Sequence, residues 1–275
     1  MKNLYLRILS GIVYIALIVG ATYCGVPAIF LAVICFLGVI CLKEFLLITT
    51  LKNKSFYYLI LGFLLVATHL FYQNVRYFVY AFLSITLITQ CLLILSLYQK
   101  EDVPKRFVTH KPLLSIFYLT GGLLFISLLP FSANPEIFSP KILFNCFILI
   151  WVNDSLAFAF GKYLGKHKLF ERVSPKKTIE GFIGGLISCV LTGYYFLPCH
   201  DIPISKTQWV VIAFIVGISG TLGDLVQSKF KRIAGVKDSG TIMPGHGGIY
   251  DRLDSILFVC PFVFIYIIFI QYYVS

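Results

Sequence analysis

Residues 255–274 read SILFVCPFVFIYIIFIQYYV, twenty consecutive positions without a charge. Crossing the hydrocarbon of a bilayer takes roughly 20 mainly apolar residues in a helix, so this stretch argues for a membrane span. Working back from it, comparable runs recur at about 8–24, 27–50, 56–72, 77–98, 112–131, 141–160, 179–198 and 208–227. The chain has 275 residues, of which 59% are hydrophobic and 13% charged. Soluble domains carry about 45–50% apolar and roughly 25% charged residues, so the surplus has to face lipid. The expected fold is all-α, a polytopic integral membrane protein of about nine transmembrane helices. The first run follows Lys2 and Arg7 in the manner of a signal peptide, but no small-residue cleavage site stands out, and it is read as a retained span. The eight cysteines (Cys24, Cys35, Cys41, Cys91, Cys146, Cys189, Cys199 and Cys260) form no CxxC pair. They are read as thiols packed as small hydrophobes.

The charges are partitioned. With nine spans, only Arg76, Lys141 and Lys206 of the 23 Lys and Arg residues fall on one side. The excess of basic loops on the other side places the N-terminus inside and the C-terminus outside. A net charge of +11 would raise nucleic acid as a partner of a soluble protein. Here it is assigned to cytoplasmic loops facing anionic lipid or phosphate, and no nucleic acid is expected. Of the twelve acids, all but Glu136 and Asp201 lie at or near the inner side too. The positive-inside bias does not require acids to follow, so carboxylates mixed with Lys and Arg on one face suggest a site. Residues 1–111 offer four spans and little chemistry, and 112–275 is the expected catalytic region. No internal repeat is visible, which weakens a transporter reading.

Asp154 lies in the apolar run ILIWVNDSLAFAFG. An ionisable group within a span usually faces a polar interior, unless the span ends there and the carboxylate is wet. In the following loop, Ser174-Pro175 has the look of a helix start with Pro at the first position. Lys176 and Lys177 would then flank a helix N-terminus, a phosphate-binding arrangement, or be ordinary positive-inside lysines. Glu180 is left open. Asp224, Ser228, Lys231 and Arg232 fall at i, i+4, i+7 and i+8 and share one helix face. A carboxylate and a hydroxyl suit a hard cation, and two cations suit phosphate oxygens. Finally, Gly240, Gly245, Gly247 and Gly248 flank His246 and permit close backbone approach to a ligand. Asp251 and Asp254, three apart, are placed to share or bridge metal ions. A salt bridge for Asp251 and an N-cap role for Asp254 are the plainer readings. Walker A, GxSxG, HExxH and CxxC patterns are absent. What remains is a chemistry of metal and phosphate without a protein nucleophile.

The stretch SKFKRIAGVKDSGTIMPGHGGIYDRLD (Ser228 to Asp254) resembles the signature of CDP-diacylglycerol synthases, the phosphatidate cytidylyltransferases. The matching positions are Ser228, Lys231, Arg232, Lys237, Asp238, Pro244, His246, Gly247, Gly248, Asp251, Arg252 and Asp254, with Met243 where Leu, Ile or Phe is usual. SPKKTIEG (Ser174 to Gly181) and NDSLAFAFGKYLGKHKL (from Asn153) are similar to that family too. The resemblance implies a nucleotidyltransferase of phospholipid biosynthesis that converts CTP and phosphatidate to CDP-diacylglycerol and pyrophosphate with Mg²⁺, a second metal ion being expected from the number of carboxylates. It implies a multi-pass cell-membrane protein whose active site faces the cytoplasm. Asp224, Asp251, Asp254 and Ser228 are the expected metal ligands. Asp224, Lys231, Arg232, Asp251 and His246 form the expected catalytic set. Lys176, Lys177, Ser228, Lys237, Asp238, Gly247, Gly248 and Arg252 are the expected substrate-binding residues. A CTP-dependent polyprenol kinase, an archaeal-lipid cytidylyltransferase and an anion transporter are the alternatives. The small-residue spacing Gly217, Gly220, Gly223 and Gly181, Gly184 allows close helix packing within the chain or in a homodimer.

Overall fold

The computed structural model describes residues 2–51, 53–71, 76–99, 111–133, 137–197, 204–243, 245 and 247–273. Among the described residues there are nine helices: α1 (Lys2–Tyr23), α2 (Pro27–Ile48), α3 (Lys54–Phe71), α4 (Arg76–Leu97), α5 (Lys111–Phe131), α6 (Lys141–Leu164), α7 (Ile179–Tyr195), α8 (Lys206–Ile233) and α9 (Tyr250–Tyr273). Each coincides with an apolar run of the sequence. Six, namely α2, α4, α5, α6, α8 and α9, are long and apolar enough to cross a membrane. The chain is thus an all-α membrane protein with one addition. A short antiparallel hairpin, β1 (Lys168–Phe170) and β2 (Ser174–Thr178), joins α6 to α7, with Lys168 opposite Thr178 and Phe170 opposite Ser174.

That hairpin corrects one expectation. Ser174-Pro175 does not start a helix; it opens a strand. The residue before a proline is pushed towards extended backbone, and a better cap lies four residues on. Thr178 has extended backbone and its hydroxyl accepts from Gly181 N at 3.2 Å, so α7 starts at Ile179. Glu180 closes the turn behind it. Its carboxylate accepts from the backbone N–H groups of Lys166 and His167 (3.0 and 3.2 Å) and lies 2.6 Å from His167 Nδ1.

α9 is the central helix, buried along most of its length and packed against α2, α4, α5, α6 and α8. Pro261 sits inside it. Proline has no N–H, so the Leu257 carbonyl has no helical donor. In an apolar surrounding that acceptor needs a partner from elsewhere. Gln90 of α4 supplies it, donating Nε2 to Leu257 O at 3.1 Å. α5 passes the same point at Gly122, where a β-carbon would come within 2.7 Å of Leu257 O. The N-terminal half of α5 is wound as a π-helix over Leu114–Thr120, and Tyr118 there is hydrogen bonded to Tyr250 at the head of α9 (3.0 Å).

The small-residue stripes are used within the chain. A β-carbon at Gly181 would meet Ala157 O of α6 at 2.6 Å, one at Gly217 would meet Leu186 of α7 at 2.6 Å, and one at Gly223 would meet Phe258 of α9 at 2.6 Å. Of the described cysteines, Cys41, Cys146, Cys189 and Cys260 are buried as expected. Cys35 and Cys91 lie on outward helix faces instead, where an apolar thiol is equally at home in lipid, and Cys24 is exposed in the bend after α1. Cys199 lies outside the described residues.

The close approaches predict unequal responses to the same added methyl group. Gly122→Ala should destabilise by about 1–3 kcal/mol through overpacking against backbone. Gly62→Ala, which meets nothing within 4 Å, should leave the melting temperature at or above wild type. Thermal unfolding in detergent checks both.

Candidate active site

Four elements meet at one end of the bundle: β2, the C-terminal turns of α8, the loop 234–249 and the head of α9. On α8, Asp224 and Ser228 face one way, as their spacing requires, and Ser228 Oγ donates to Asp224 Oδ1 at 3.2 Å. The other oxygen of Asp224 pairs with Lys177 Nζ at 2.7 Å. Lys177 gets there because it lies in a strand. Alternate strand residues project to opposite faces, so Lys176 stays exposed while Lys177 points inward.

Lys231, one turn further along α8, crosses to α9 and pairs with Asp251 Oδ1 at 2.8 Å. Asp251 is more enclosed than Asp224, with side-chain exposures of 7% and 32%. Its Oδ1 also accepts from Gln227 Nε2 at 3.0 Å. Its Oδ2 accepts from Ser239 N, Ser239 Oγ and Gly248 N at 2.8, 2.9 and 2.9 Å. Five donors thus converge on one carboxylate, and a salt bridge with a neighbouring cation is part of its role. Asp254 does not share these partners. It is buried in the second turn of α9, past the N-cap position, and accepts from Ser255 N at 2.8 Å.

Asp154 is not at a helix end, since α6 runs ten residues beyond it to Leu164. With Asp251, Arg252, Asp254 and Ser255 it lines a cleft of about 220 Å³ whose other walls are mainly apolar: Tyr14 and Ile15 of α1, and Phe147, Ile150 and Trp151 of α6 among them. Asp154, Asp224 and Asp254 lie within electrostatic reach of one another. Only Asp224 among these three is held by a lysine at ion-pair distance among the described residues. The local carboxylate excess is what a divalent cation would neutralise. Among the described residues no three His, Cys, Asp or Glu side chains converge into a closed metal cage. Mg²⁺ seldom uses one; it keeps waters and takes one or two carboxylates along with substrate phosphates. The open carboxylate set therefore fits Mg²⁺.

The remaining expected residues sit around this centre. Arg232, Lys237 and Asp238 are exposed on the rim. Gly247 has a left-handed φ of +88°, and its carbonyl oxygen accepts from Met243 N at 2.9 Å, which closes the turn. Gly248 presents its N–H to Asp251. His246 and Pro244 lie outside the described residues. Arg252 faces the cleft, and its carbonyl accepts from Tyr14 OH at 3.2 Å, which ties α1 to the site.

The profile of the cytidylyltransferase family matches residues 5–270. The chain belongs to the cytidylyltransferase family. Among individual relatives of this family member is a phosphatidate cytidylyltransferase of Staphylococcus saprophyticus, 48% identical over 122 residues, or 44% of this chain and 47% of the relative. Proteins of the same name from Staphylococcus haemolyticus (49% over 122 residues) and Staphylococcus aureus (48% over 124 residues) match to the same extent of both chains. The chain spans about half the length of the curated relatives it matches.

Sequence reasoning about this cytidylyltransferase-family chain missed three contributors: Ser239, Gln227 and, in the half credited with little chemistry, Glu44 of α2. Glu44 is buried, and its signal was available: an acid in an apolar run, the same argument that singled out Asp154. It sits in a cradle of glycines, because a β-carbon at Gly240 would meet Glu44 Oε1 at 2.4 Å and one at Gly248 would meet Glu44 Oε2 at 2.2 Å. Gly248→Ala should therefore displace both Glu44 and Ser239. The expected result is faster proteolysis within 234–249 and a lower melting temperature, whereas Gly20→Ala, with open space around it, should match wild type in both measurements.

Proposed function

We propose that the chain is a phosphatidate cytidylyltransferase, transferring CMP from CTP to the phosphate of phosphatidate and releasing pyrophosphate. The observation that carries the reading is the pairing of two lysines from separate elements, Lys177 and Lys231, with Asp224 and Asp251 beside a cleft lined by carboxylates and apolar side chains. An apolar wall suits the acyl part of a lipid, and fixed cations suit phosphate groups. The relatives' name and the family match point to the same reaction.

A phosphatidate phosphate oxygen attacks the α-phosphorus of CTP. The new P–O bond forms as the bond from that phosphorus to the bridging oxygen breaks, and the electron pair leaves with pyrophosphate. The nucleophile is already anionic, so no protein base is required. The barrier lies in bringing polyanions together and stabilising charge on the phosphoryl oxygens, a task of positioning and electrostatics. Lys177 and Lys231, held in place by their aspartates, turn to the phosphates when these arrive. Lys176, Arg232, Lys237 and Arg252 add cations at the rim, with Asp238, Gly247 and Gly248 in the loop over the nucleotide; the role expected of His246 is kept from the sequence alone. Mg²⁺ would be held by Asp224 with Ser228, by Asp254, and by Asp251 once its donors yield. When bound it would neutralise phosphate charge and polarise the α-phosphoryl group. Two ions are compatible with the number of carboxylates.

On this reading the nine helices all cross the membrane, with the N-terminus inside, the C-terminus outside and the site facing the cytoplasm, where CTP is found. The charge partition supports that sidedness.

Purified protein given labelled CTP, phosphatidate vesicles and Mg²⁺ should form CDP-diacylglycerol, and chelation with EDTA should abolish it. No product, alongside an active control enzyme, defeats the reading. Asp224→Asn and Asp251→Asn should each lower kcat at least about 100-fold, in line with the loss of a charge-stabilising group. Near-normal rates in both would remove the metal assignment while leaving the activity in place.

A further inference from the structure

Glu44 is a buried carboxylate, 3% exposed, on a helix remote in sequence from the site. Burying a charge is costly unless it is paired or fully hydrogen bonded. Among the described residues no ion pair forms with it. Its donors are three neutral groups: Ile249 N to Oε1 at 3.1 Å, Tyr250 N to Oε2 at 2.8 Å, and Ser239 Oγ to Oε2 at 2.9 Å. Ile249 and Tyr250 form the head of α9, where backbone N–H groups lack helical partners and favour negative charge. Glu44 thus caps α9 from another helix.

It reaches further through Ser239. That hydroxyl lies 2.9 Å from Glu44 Oε2 and 2.9 Å from Asp251 Oδ2. A serine carries one hydroxyl proton, so the two carboxylates share a single donor and neither can move without affecting the other. Asp251 in turn holds Lys231. The contacts form one path: Glu44, Ser239, Asp251, Lys231.

We infer that Glu44 is a positioning residue for cytidylyl transfer, fixing the loop 234–249 and the head of α9 so that Asp251 and Lys231 are aimed at the phosphates. The inference rests on the proposed activity. It assigns a role in the reaction to the N-terminal half of the chain.

Glu44→Gln is the decisive variant because it keeps the volume and removes one acceptor. Both Glu44 oxygens accept from backbone N–H groups, and an amide has only one oxygen, so one N–H must face an NH₂. Ser239→Ala cuts the path to Asp251 while leaving Glu44 its hold on Ile249 and Tyr250. Each variant should lower kcat about 10- to 100-fold, as expected for misplacement of a catalytic group by about 1 Å, with KM for CTP within about threefold of wild type. The double variant should be no worse than Glu44→Gln alone, because residues on one path lose the same interaction once. Hydrogen exchange at Ser239 and Gly248–Tyr250 should rise in Glu44→Gln. Gly122→Ala, which loosens α9 away from the site, should lower the melting temperature and leave kcat per folded molecule unchanged.

Undiminished kcat in Glu44→Gln overturns the inference, as do losses that multiply in the double variant. If Glu44→Gln does not fold, Ser239→Ala decides: a wild-type kcat there overturns the inference too. Wild-type protein that forms no CDP-lipid overturns the proposed activity instead, and is recognised before any variant is compared.

Discussion

A carboxylate withdrawn from water must be given donors, and the active end of this bundle is organised by how that demand is met. Glu44 and Asp251 together gather backbone N–H groups from Ser239, Gly248, Ile249 and Tyr250, one serine hydroxyl, one amide and one ammonium. Those donors come from α8, the loop 234–249 and α9. The glycines of the loop are there because the two carboxylates leave no room for side chains: β-carbons at Gly240, Gly247 and Gly248 would all fall on Glu44 or Asp251 oxygens. The loop's sequence is thus set by the space around buried oxygens as much as by any ligand.

The second lysine–aspartate pair is built differently. Lys177 comes from a hairpin and Asp224 from the end of α8, and the pair is four to five times more open on the aspartate side than Asp251. One pair belongs to the packed interior and the other to the accessible surface of the site. A polyanionic substrate approaching from water would meet Lys177 first and displace a partner that is partly solvated already. Reaching Lys231 means competing with an enclosed carboxylate.

The helices were legible because a span is an apolar run of fixed length, and every run found in the sequence became a helix. Asp224 with Ser228 was legible because i, i+4 spacing holds on any helix. Lys177 was picked out for a helix start it does not occupy, since Ser174-Pro175 resembles one; the strand delivers the residue to the site all the same. The partners of Asp251 were not legible, because backbone N–H groups carry no sequence signature. Glu44 stood out only as an acid in an apolar run; its role in the site did not. Its partners lie about two hundred positions away, beyond the reach of any local pattern.

That separation has a consequence for how the protein is made. Tyr250 N and Glu44 are 206 positions apart, and between them six other helices must be threaded and placed. While α9 is still in the ribosome, a nascent chain already inserted up to α8 holds Glu44 without Ile249, Tyr250 or Ser239 in position to cover it. The head of α9 brings the backbone donors, Ile249 N and Tyr250 N, and closes the gap in one step. Half-synthesised protein is therefore left with an uncompensated acid in the bilayer.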